Sequence, residues 1–107
     1  MIKAEIFSQD GKIIGFSIKG HAGFAPKDQD VYCAGVSTLT QSVWLCLEEH
    51  LHRKFDGEEA DGKLILKLKE PPDELTEAVF QTMLIGLREI ENLVPKAIKI
   101  KIINSKI

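Results

Sequence analysis

At the head of the chain Ile2, Ala4 and Ile6 alternate with Lys3, Glu5 and Phe7, the two-residue period of a half-buried strand. Asp10-Gly11 reads as a tight turn, because both residues tolerate the positive φ that primed hairpin turns require. Lys12 to about Lys19 is a second strand with Ile14, Phe16 and Ile18 on one face, so the two runs predict a hairpin. From about Val31 the period lengthens. Val36, Leu39, Val43, Leu47 and Leu51 recur at threes and fours with Cys46 beside them, which predicts a helix capped by Asp30 and ending near Phe55. Residues 56–62 read as a polar connection. Lys63 to Lys69 returns to period two, with Leu64, Leu66 and Leu68 inward. Pro71-Pro72-Asp73 then opens a second helix, where early prolines are tolerated because the first N–H groups lack partners anyway. Its stripe is Leu75, Val79, Met83, Leu87, Ile90 and Val94, and Pro95 stops it. Ala97 to Ile103 is the final strand, with Ile98, Ile100 and Ile102 on one face.

The order is strand, strand, helix, strand, helix, strand. Strands with one apolar and one charged face need a single layer of helices. The expectation is therefore a two-layer α/β (α+β) domain, a four-stranded mixed sheet with two helices on one face, with residues 1–107 as one unit. Strict alternation puts Phe7, Ile13, Ile65 and Ile103 on the face opposite the helices. Gathered together, they would form a patch that a two-fold copy of the chain covers.

Composition narrows the partners. With 107 residues and 44% hydrophobic content, the chain can bury a core without disulfides or metals. A net charge of -2 gives no reason to expect direct nucleic-acid binding. The apolar run Val43 to Leu47 is far too short to span a bilayer, and Lys3 and Glu5 interrupt any N-terminal apolar segment. Two cysteines outside a secretory context fit reduced thiols in a cytoplasm.

Chemistry concentrates between Gly20 and Ser37, GHAGFAPKDQDVYCAGVS. Cys33 falls in the first turn of the predicted helix, where backbone dipoles and a nearby imidazolium favour a thiolate over a free thiol of pKa about 8.5. His21 can take and return a proton near neutral pH, as a cysteine nucleophile requires. Amides at the helix start are candidate oxyanion donors. Gly20 to Gln29 lacks periodicity and reads as a movable flap carrying His21, with Gly20, Ala22 and Gly23 around it. Asp30 has two readings, the helix cap or a carboxylate orienting His21. Ser37 lies one turn beyond Cys33, to bond either the site or a carbonyl of its own helix. Cys46 reads as a buried core residue, Trp44 as partly buried, and His50 and His52 as residues of a helix C-terminus. No C-x-x-C or H-x-x-x-H pair exists, so neither a metal nor another cofactor is expected. Lys63, Lys67, Lys69, Lys99 and Lys101 read as the solvated sheet face, or else as an approach to an acidic or RNA-rich surface.

The pattern G-H-A-G, a short loop, then D-x-x-C-x-x-x-S resembles the ribosomal-processing cysteine protease family Prp. Gly20, His21, Ala22 and Gly23 match the first block, and Asp30, Cys33 and Ser37 the second. Tyr32 departs from the family pattern, in which a small residue is commoner beside the cysteine. The resemblance implies an endopeptidase that removes an N-terminal extension from a large-subunit ribosomal protein precursor, with Cys33 as nucleophile and His21 as proton carrier. It also implies a homodimer. The competing class is a non-catalytic α/β module binding ribosomal components, with Cys33 and His21 as packing and turn residues.

Overall fold

The computed structural model describes residues 1–26 and 29–104. Strands β1 (Ile2–Gln9) and β2 (Lys12–Lys19) form the expected hairpin, with Asp10 and Gly11 both at positive φ in the turn. Helix α1 (Val31–Leu45) continues through a π-helical turn, Cys46–His50. Next come β3 (Phe55–Ala60), β4 (Lys63–Leu68), α2 (Glu74–Leu93) and β5 (Ile98–Asn104). The sheet has five strands in the order β3-β4-β2-β1-β5, antiparallel except for the parallel β1–β5 pair. Two helices on one face of a mixed sheet agree with expectation. Four strands, and the order strand-strand-helix-strand-helix-strand, do not: the polar connection is itself a strand.

β3 has no apolar alternation because it is an edge, and five of its six residues are exposed. Its one large apolar residue, Phe55, meets Trp44 of α1 edge-on at 5.2 Å between ring centroids. Phe55 therefore begins a strand and does not end a helix. The helix stops at the π turn, and His52 takes a left-handed conformation (φ 52°) that redirects the chain.

The core joins both helices to the sheet. Phe16 and Phe80 pack edge to face at 6.3 Å among Ile2, Ile6, Leu47, Leu66, Met83, Leu87 and Ile98. Two inward assignments change. A bulge between Phe7 and Ser8 pairs Ser8 with Ile13, so Ile13 joins the core cluster and leaves the outer face. The Ile13 N–H, displaced from the regular ladder, donates to Glu77 Oε1 at 2.8 Å. The stripe of α2 is also rotated from the expected one. Leu75 is 58% exposed, while Thr76, Phe80, Met83, Leu84 and Leu87 are buried. The prolines precede α2, whose cap is Asp73 in a capping box with Thr76. Cys46 is half-buried and outside the core cluster. Among the described residues no helix is long and apolar enough to cross a membrane.

Candidate active site

The β2–α1 connection, the first turn of α1 and the β3–β4 hairpin surround a cleft of about 300 Å³. It holds His21, Asp30, Cys33 and Ser37 from the first two segments, and Glu59, Asp61 and Gly62 from the hairpin. The sequence places the first four in one window. The hairpin side was missed, because only the β2–β4 pairing brings residues 59–63 beside residue 21. No periodicity marks them, and the Asp61-Gly62 turn signal was the available clue.

Asp30 organises the connection from its base. Only 3% exposed, it accepts the N–H groups of Tyr32 and Cys33 on Oδ1 at 3.0 and 3.1 Å, and that of Phe24 on Oδ2 at 3.1 Å. One carboxylate thus caps α1 and pins the preceding loop. Burial by itself would raise the Asp30 pKa. The backbone donors Cys33, Phe24, Tyr32 and Ala25 outweigh that burial and hold it below its ordinary value. Both of its oxygens accept backbone N–H groups, none from His21, so the cap reading agrees with the geometry and the orienting role has no contact here.

These bonds also change the expected oxyanion site. Tyr32 and Cys33 give their amides to the Asp30 side chain, and the Ala34 N–H donates to the Asp30 carbonyl at 3.0 Å. The amides of these three residues at the start of α1 are therefore already engaged.

The thiol has its own backbone partner. The Ala22 N–H donates to Cys33 Sγ at 3.1 Å, and Ala22 itself is buried in the core cluster. That bond gives the sulfur a fixed direction. His21, next in the chain and exposed, stands in the same cleft. The Ser37 hydroxyl is exposed and makes no hydrogen bond among the described residues, so neither reading of it acquires a contact.

Described residues of the Gly20–Gln29 stretch make contacts of their own. Gly20 N–H donates to the Gly62 carbonyl at 2.9 Å, Gln29 N–H to Pro26 at 2.8 Å, and Phe24 stacks edge-on to Tyr32 at 5.2 Å. Gly20 and Gly23 sit at φ 95° and 82°, and a Cβ on Gly20 would lie 2.6 Å from the Met1 carbonyl oxygen. Lys27 and Asp28, near the end of that expected flap, lie outside the described residues. Among the described residues no cluster of three or more His, Cys, Asp or Glu groups could hold a metal.

Residues 1–99 match the family model of the cysteine protease Prp. A crystal structure of the ribosomal processing protease Prp from S. aureus, with a covalently linked product peptide, is 24% identical and superposes with a TM-score of 0.89. That match covers 95% of this chain and 99% of that one. The same S. aureus protease with a substrate peptide gives 23% identity and 0.83 over 95% and 99% of the two chains. SMU.848 from Streptococcus mutans is 26% identical with a TM-score of 0.80, over 98% and 96%. Among curated proteins nothing matches.

Proposed function

This chain belongs to the cysteine protease Prp family and is a cysteine protease, and from that premise we propose that Cys33 is its nucleophile and His21 its proton carrier. The observation that carries the assignment is the Ala22 N–H on Cys33 Sγ. It supports the reading because the amide that meets the sulfur belongs to the residue after His21, and both side chains line one open cleft.

The reaction follows from these positions. The Cys33 thiolate attacks the scissile carbonyl carbon, and the carbonyl oxygen takes the electron pair. Ala22, whose N–H already reaches Sγ, is the backbone donor next to that oxygen. The C–N bond then breaks with a proton from His21 going to the leaving amine, which leaves an acyl thioester on Cys33. Water, giving a proton to His21, attacks the thioester, and the C–S bond breaks to free the Cys33 thiolate. Asp30 contributes by holding both sides of the site, the amide of Cys33 and the loop that carries Ala22.

The substrate in this reading is a large-subunit ribosomal protein precursor, from which the enzyme removes an N-terminal extension in the cytoplasm, working as a homodimer. The S. aureus relative, described as a ribosomal processing protease and solved with substrate and product peptides, supports that class. A purified assay on an extension-bearing precursor tests it. Cys33→Ala and His21→Ala should each abolish cleavage, while Cys46→Ala keeps nearly the full rate. Cleavage at the wild-type rate by the Cys33→Ala protein would overturn the assignment.

A further inference from the structure

The β3–β4 turn lies against the histidine of the site. A Cβ placed on Gly62 would stand 2.9 Å from His21 Nε2 and 3.4 Å from Cε1, so the imidazole rests on the bare Cα of this glycine. The same residue accepts the Gly20 N–H at 2.9 Å on its carbonyl. Gly62 thus meets the His21 ring and also holds the main chain of Gly20, the residue before it. Its φ of 67° lies in the left-handed region that side chains disfavour.

We propose that Gly62 is a positioning residue for His21: the hairpin turn sets the plane and reach of the imidazole, and proton transfer depends on that floor being flat. This rests on the assignment of His21 as proton carrier. A methyl group at position 62 meets the far end of an exposed side chain, which has room to shift toward solvent. Folding therefore tolerates the intrusion, while the ring must leave its place. Displacement by about 1 Å of a proton-transfer group costs on the order of a hundredfold in rate.

Gly11 supplies the matched control. It occupies the other hairpin turn at φ 82°, with nothing within 4 Å of a Cβ placed there, so Gly11→Ala incurs the same backbone strain without meeting a histidine. Gly62→Asn supplies the complement, because asparagine tolerates left-handed φ yet still carries a Cβ. Peptide cleavage across the extension junction and NMR of the His21 ring are measured on wild type, Gly62→Ala, Gly62→Asn, Gly11→Ala and His21→Ala. Both Gly62 variants should lose kcat on the order of ten- to a hundredfold with KM little changed, and their His21 ring signals should shift. Gly11→Ala should keep wild-type kcat and ring signals. Full recovery in Gly62→Asn, or equal kcat in Gly62→Ala and Gly11→Ala beside an inactive His21→Ala, overturns the proposal alone. Wild-type kcat in His21→Ala overturns the assignment of His21 and the proposal with it.

Discussion

Asp30 is where one side chain holds two structures at once. Its Oδ1 caps α1 and its Oδ2 holds Phe24. Asparagine preserves one carbonyl oxygen but turns its NH2 toward a second donor, so it keeps the cap and loses the loop tether. Thermal unfolding should rank wild type above Asp30→Asn, and Asp30→Asn above Asp30→Ala. An Asn variant as stable as wild type would show the Phe24 bond to be worthless. The pH response has a fixed sign. The folded-state pKa lies below the unfolded value, so the stabilisation is complete above the unfolded value and lost as pH falls through the lower, folded one. Asp73 is lowered too, chiefly by its hydrogen bond from Arg53, with backbone donors Thr76 and Leu75 adding to it. The fall of Tm with pH below about pH 4 should therefore be shallower in Asp30→Asn without vanishing. At this scale the sequence is highly legible, because His21, Asp30 and Cys33 share one short window and one helix start. Gly62 was illegible for the opposite reason: a glycine announces a turn but not the ring that will lie on it.

At the scale of elements, the amphipathic strands and helices were readable and the two irregular ones were not. β3 pairs with β4 through the backbone ladder and the Glu58–Lys63 ion pair, without an apolar alternation of its own, and its charged residues oppose templating of another chain at that edge. The bulge in β2 is invisible to alternation, since Ile13 and Ile14 are both apolar and both buried. Its consequence is measurable. Ile13→Ala should cost about 2–5 kcal/mol in urea unfolding, as for a core aliphatic, and Ile103→Ala, half-buried on the outer face, clearly less. Similar losses for the two would restore strict alternation. Glu77→Ala should cost about 1–3 kcal/mol by stranding the Ile13 N–H, and Glu77→Gln, which keeps an acceptor, less.

For the whole molecule, the outer sheet face bears on how two copies would meet. With Ile13 gone from it, Phe7 stands beside Ile103 while Ile65 is two strands removed, beyond Ser17. At the other end Lys99, Lys3, Lys19 and Lys63 line up across four adjacent strands, a row of like charges that a two-fold contact must avoid. An isologous interface on this face therefore centres near Phe7. Light scattering at micromolar concentration should return the mass of two chains, and Phe7→Glu that of one; a monomeric wild type sinks the dimer. The sheet has a temporal side as well. β1 pairs with β2, its immediate successor, and with β5, the last strand, so joining them closes a loop of roughly 90 residues. Until that distant partner docks, β1 is an open edge and the layer beneath the thiol is incomplete. Such non-local closure places refolding toward the millisecond-to-second range. A chain still being synthesised thus carries Cys33 well before it has the framework that aims it, and topology delays the protease until β5 has been made.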